Sequence, residues 1–320
     1  MALVLQASKW IEEDQVPLKN FALIRKYLEG TTPDTAAVAA ELTAPINDML
    51  TNNLLPNSAV RTAEHHLWLL WDLFIVLVKQ IPHSHPWQAK LVELLAAIKK
   101  VPAPSSPDRE SFEREYGFRL WVDLPIFGAD IRETWNQGPW EKSLEARQFI
   151  DQHWWMRPFS VDVWVRLNAF IARVTVASVL NFESFAIWLL HHALEEPRRA
   201  DGLDDTLPAA ATWILHAGNI IYHNGAYGGI EPKKPDPARS QDLYKGPDGF
   251  CRERWDFWKG WFGCARDNSQ LKEKTRTFAK DAYDVMEQIE TIEPEPSRDP
   301  NRPVLPAAGQ MRAVYVADMS

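Results

Sequence analysis

Residues 67–78 read Leu-Trp-Leu-Leu-Trp-Asp-Leu-Phe-Ile-Val-Leu-Val, the most apolar run in the chain. Wound as a helix, Leu67, Trp68, Trp71, Phe74, Ile75 and Val78 fill well over half the circumference, the pattern of a helix enclosed by neighbours. The alternation of a half-buried strand is hard to find here or elsewhere. Asp72 interrupts the run, which is also far short of the roughly 20 apolar residues that span a bilayer. The stretch therefore predicts a central core helix and no membrane anchor, and a helix of that kind requires other helices around it.

The flanking sequence supplies them. Phe21, Ile24 and Leu28 share a face that Gly30 closes, and Thr32-Pro33 reads as the cap and first-turn proline of a helix carrying Val38, Leu42, Ile46 and Met49. Pro45 is expected to kink or end that helix. Ser58 is placed to cap the central helix. Beyond Pro82 and Pro86, the set Trp87, Leu91, Leu94, Leu95 and Ile98 reads as the second arm of an antiparallel hairpin. Residues 101–108 hold three prolines and two serines, an exposed connection, with a possible sub-boundary at 101–111.

Short helices are expected around Trp121, Leu124, Phe127, Ile131 and Trp135. A clearer one follows Ser160 with Trp164, Leu167, Ile171 and Val174. Asn181 is placed to cap the next, through Phe185, Trp188, Leu189 and His192, and another carries Trp213, Ile214, Ala217, Ile220 and Ile221. Residues 228–249 are rich in proline, glycine and charge and read as a long surface loop. Trp255, Trp258 and Phe262 return to helical spacing. The last helix carries Phe278, Ala282, Val285, Ile289 and Ile292 as an a/d seam, too short for a coiled coil and suited to packing on the body. The expected fold is all-α: one globular domain over residues 1–292, of about eight to eleven helices, followed by a proline-rich disordered tail at 293–320.

Composition narrows the function classes. With 46% hydrophobic and 24% charged residues in 320, the chain can bury a sizeable core. The formal charge of −8 repels phosphate backbones and anionic lipid, so neither nucleic acid nor membrane is an expected partner. Two cysteines, Cys251 and Cys264, and the lack of a secretory pattern point to a cytoplasmic protein with reduced thiols, a nuclear location being left open.

The stretches Leu67 to Asp72, His85-Pro86 to Leu95, Trp164 to Arg173, Ala210 to Ile214 and Arg254 to Trp258, in this order, resemble a filamentous-fungal helical family catalogued as a domain of unknown function. The resemblance implies a fungal origin and one helical domain. Such proteins are sometimes encoded beside genes of specialised metabolism. It carries no catalytic residue to this chain.

The motifs of common chemistry are missing. There is no Gly-x-Ser-x-Gly elbow, no glycine-rich phosphate loop, no His-Glu-x-x-His and no Glu-x-x-His, so neither metal nor cofactor is expected. Fifteen tryptophans recur at helical spacing. They read first as core filling and second as the wall of a cavity for a planar ligand. Candidate pocket residues are Trp68, Trp71, Asp72, Trp188, Trp213, Arg254, Trp255 and Trp258. If the chain is an enzyme, His191, His192 and His216 with Glu195 are the candidate proton carriers. Asp72 and Arg254 are expected to pair. Two functions compete: a non-catalytic binding or regulatory module for a protein partner or small apolar ligand, which is favoured, and a cofactor-free enzyme of specialised metabolism acting on an apolar or aromatic substrate.

Overall fold

A computed structural model describes residues 3–31, 34–51, 58–139, 159–197, 200–226 and 243–292. Among these residues there is no strand, and twelve helices form: α1 Lys9–Glu13, α2 Gln15–Leu28, α3 Thr35–Thr51, α4 Ser58–Gln80, α5 Trp87–Ile98, α6 Pro107–Tyr116, α7 Phe127–Trp135, α8 Val161–Val176, α9 Glu183–Leu194, α10 Ala200–Ala226, α11 Arg252–Asp267 and α12 Glu273–Ile292. The all-α expectation holds. The count exceeds eight to eleven because α1, with five residues, is too short for periodicity to reveal. Most of the anticipated loop, 228–242, and the whole tail, 293–320, lie outside the described residues, as does the Thr32-Pro33 cap.

The chain divides into two compact units, Met1–Gly138 with Ala177–Asn181, and Pro139–Val176 with Phe182–Ser320. Residues 101–111 lie inside the first unit. There Ser106 caps α6, its hydroxyl accepting from the Arg109 N–H at 3.2 Å, with proline at the first helical position.

In the first unit α4 is the centre, touching α2, α3, α6 and α7. Leu67, Trp71, Phe74, Leu77 and Val78 are fully buried, as the apolar run requires. Pro45 does not end α3: the helix runs on to Thr51, with Leu42, Ile46 and Leu50 buried on both sides of it. And α5 packs chiefly on α3 instead of returning along α4: Gln88 donates to the Ile81 carbonyl at 3.0 Å, pinning its first turn to the end of α4.

The second unit is built on α10, a helix of 27 residues against which α8, α9, α11 and α12 all pack. Ala209, Ala210 and Ala211 are fully buried and let these neighbours approach. Gly218 is a point of close approach between α10 and α12, since a Cβ there would meet the Ile289 Cδ1 at 2.8 Å. Asn181 does not cap α9. The N-cap is Phe182, without a side-chain bond, and its N–H donates to the Thr175 hydroxyl on α8 at 3.3 Å.

Candidate functional site

Glu195 closes α9 and is fully buried, as is Arg254 in the first turn of α11. The guanidinium grips the carboxylate with both arms, Nε to Oε1 at 2.6 Å and Nη2 to Oε2 at 2.9 Å, and the Trp258 indole N–H donates to Oε1 at 2.7 Å. Arg254 Nη1 also donates to the Gly249 carbonyl, and the Glu195 carbonyl accepts from the Leu243 N–H. Residues 243–251 are thereby fastened to both helices. A carboxylate at a helix C-terminus meets the negative pole of the helix, and the bidentate arginine offsets that. The expected partner of Arg254 is thus corrected: it meets Glu195, while Asp72 belongs to the first unit. Beside this knot, Tyr244 and Cys251 share a hydrogen bond at 3.1 Å, and burial pushes both groups upward, which keeps Cys251 a thiol.

The histidines occupy different places. His191 is buried, with Nε2 3.9 Å from Glu195 and Nδ1 3.6 Å from Glu196, and His192 faces Glu196 at 3.1 Å. His216 lies on α10 in a groove lined with α12 residues. Among the described residues no group of three or more His, Cys, Asp or Glu is arranged to hold a metal, and no helix is long and apolar enough to cross a membrane.

Many of the described tryptophans fill the core, and several of their ring N–H groups have structural acceptors. Trp213 is fully buried and donates to the Asn168 side chain at 2.9 Å, while Asn168 donates to the Trp164 carbonyl. Trp255 donates to Glu290 at 2.8 Å and rests edge-on against Tyr222. In the first unit Trp71 donates to the Pro125 carbonyl and Trp121 to Asn47, both at 2.9 Å. Trp68 is half-buried on α4, and Trp188 is half-buried on α9 and stacks on Phe185.

Sequence reasoning missed a group on α4 and α7. Asp130 is 5% exposed, and its Oδ2 has no hydrogen-bond partner. Burial first, and the Asp72 charge second, push its carboxyl up to about 7, against the pull of Lys79. Asp72 keeps access to solvent, yet desolvation by surrounding atoms still raises it. Lys79, two turns along the same face of α4, is lowered by burial. The backbone leading into α7 is strained, with Trp121, Leu124 and Ile126 at φ of 61°, 47° and 72°.

A concave feature stands open among the described residues of the second unit. Between α10 and α12, at the end of α8, lies a groove of about 250 Å³ walled by Val176, Ile214, Ile220, Val285, Ile289 and Ile292, with His216, Asn219 and Gln288 as its polar members. Val176 is 45% and Ile292 78% exposed, so its rim offers apolar surface to solvent.

These features define a helical protein with tied-down polar clusters and an open apolar groove. The chain belongs to a family described as a protein of unknown function (DUF3632), whose profile matches residues 71–262, more than half of the chain. No curated protein and no solved structure matches.

Proposed function

We propose that the chain is a non-catalytic binding module that receives an apolar segment of a partner protein in the α10–α12 groove. The observation that carries this reading is the groove itself, an apolar trough edged by exposed Val176 and Ile292. Helical scaffolds commonly bind in this way, an amphipathic segment laying its apolar ridge into a trough between helices. Three of the candidate catalytic and pocket residues have structural partners. Glu195 holds Arg254 and Trp258, Trp213 holds Asn168, and His192 sits against Glu196. A fungal origin and a cytoplasmic location belong to the same reading.

A cofactor-free enzyme of specialised metabolism is the competing reading, and the observation in its favour is Asp130, a buried acid poised near neutrality beside Asp72 and Lys79. The two separate in one experiment. Gln288, exposed on the groove edge, is replaced by the photo-crosslinking residue p-benzoylphenylalanine in the full chain, which is irradiated in its own cells. A binding module yields a crosslinked polypeptide of defined mass that disappears when Val285→Asp is added. No crosslink, or a set of crosslinks indifferent to Val285→Asp, overturns the proposal.

A further inference from the structure

We propose that α7, with the turn leading into it, is a proton-gated flap: a proton on Asp130 holds it against α4, and loss of that proton makes it lift away more often while the rest of the first unit stays folded. The flap lies wholly in the first unit and does not depend on the α10–α12 groove.

Asp130 stands in the middle of the face that α7 turns to its neighbour. The buried positions of the helix are Phe127, Asp130, Ile131, Thr134 and Trp135, one stripe at helical spacing. Phe127 and Ile131 are fully buried, and the Phe127 ring lies against Trp71 of α4 with centroids 5.2 Å apart. The Asp130 Oδ2 is enclosed with them and has no hydrogen-bond partner among the described residues. A neutral carboxyl tolerates such a place, whereas a carboxylate gives up its hydration and finds no donor in exchange.

The charges around it leave the proton removable. α4, on which α7 chiefly packs, faces Asp130 with Asp72 and Lys79. Burial and Asp72 favour the proton and Lys79 opposes it, and the balance stands at about 7. Other nearby charges are engaged or turned outward. Arg119 pairs with Asp123 in the lead-in turn, Glu113 takes Arg109 and the Leu120 N–H, and Arg132 and Glu133 of α7 are exposed.

The turn supplies the hinge. Trp121, Leu124 and Ile126 hold positive φ within six positions, a conformation that side chains with a Cβ adopt at a cost, and opening relieves it. Two indole N–H bonds pin the turn, Trp71 to the Pro125 carbonyl and Trp121 to Asn47, both at 2.9 Å. α7 has only nine residues, while α4 is also held by α2, α3 and α6. A short segment with one main neighbour can open by itself while the body stays closed.

In the open form Asp130 meets water and returns to the ordinary carboxylate range near pH 4, so opening releases a proton. The opening equilibrium is therefore lowest in acid, climbs as pH rises from about 4 and levels off above about 7, a gain of about a hundredfold between pH 5 and pH 8. The open form remains a minor state throughout.

Hydrogen exchange of the full chain and of Asp130→Asn at pH 5, 6.5 and 8, with and without about 1 M urea, tests the flap. The ratio of wild type to variant at one pH cancels the intrinsic pH dependence of exchange. For peptides covering 124–135 that ratio should climb about a hundredfold from pH 5 to pH 8. At pH 8 the same wild-type peptides should exchange at least about tenfold faster than those covering 35–51 and 87–98, and urea should quicken only the latter, because a local opening exposes little new surface. Asp72→Asn keeps the buried acid and should end the climb at a lower pH; an end point moved to higher pH contradicts the charge arrangement. A ratio that stays flat with pH removes the gate. Exchange of 124–135 that matches α3 and α5 and quickens with urea alongside them shows that α7 opens only by global unfolding, and overturns the flap.

Discussion

Replacing Asp130 with asparagine should make the protein more stable at pH 8 and leave it little changed in acid. The side chain is 5% exposed, one of its oxygens lacks a partner, and its carboxyl is pushed from 3.8 up to about 7, by burial first and by Asp72 second. The folded pKa lies above the unfolded one, so the folded chain holds more protons between the two. Stability is then fully present below about pH 4 and is lost as pH rises through about 7. A shift of about three units, at 1.36 kcal/mol each, amounts to about 4 kcal/mol above pH 7, of which about 3 kcal/mol develops between pH 5 and pH 8. Asparagine keeps the shape and carries no charge to desolvate. Chemical denaturation of wild type and Asp130→Asn at pH 5, 6.5 and 8 measures the difference directly. The variant should gain on the wild type by about 3 kcal/mol across that range, and Asp72→Asn, which removes the neighbouring charge, should shrink the gain. A difference that stays flat from pH 5 to pH 8, or a variant less stable at pH 8, would refute the reasoning.

Further outcomes follow from other contacts. Glu195→Gln leaves the Arg254 guanidinium buried without its counter-charge and should cost about 3–5 kcal/mol in denaturant unfolding; a loss under about 1 kcal/mol would mean that the pair behaves as a surface bridge. Trp213→Phe keeps most of the ring volume but strands the Asn168 oxygen, so a loss of about 1–3 kcal/mol is expected, and adding Asn168→Leu should recover part of it. Gly218→Ala gains about 1 kcal/mol of helix propensity while forcing Ile289 to rotate its terminal methyl, so the thermal midpoint should move by no more than about 3 °C. A much larger fall would show that α10 and α12 cannot yield there.

The helices were legible because apolar side chains recur at three and four in long stretches, and residues 67–78 alone implied a buried helix with companions. Which helix each one packs on was not. α5 carries the same apolar stripe whether it returns along α4 or leans on α3, and only the Gln88 bond and the shape of α3 decide. Pro45 shows the limit of local rules, since the helix runs on past it with apolar residues buried on both sides.

The candidate site was legible by residue type and not by pairing. Glu195 and Arg254 were both singled out, yet they are 59 positions apart and meet only through tertiary packing. Asp130 gave no local signal, standing in a short helix of ordinary composition, although Lys79 two turns after Asp72 on α4 was a visible hint of a charged face. The groove was hidden for a similar reason. Val285 and Ile292 sit in the same seam as Phe278, Ala282 and Ile289, and periodicity cannot say which positions of a seam a neighbour leaves uncovered.

The binding-module account is tested most directly by native mass spectrometry of the full chain purified gently from its own cells, repeated after denaturation to release whatever it holds. The account predicts a second polypeptide bound at whole-number stoichiometry, lost from the Val285→Asp chain, with no small molecule released. A small apolar molecule released from wild type and Val285→Asp alike, with no second polypeptide, would contradict it and move the function from the groove to an interior site.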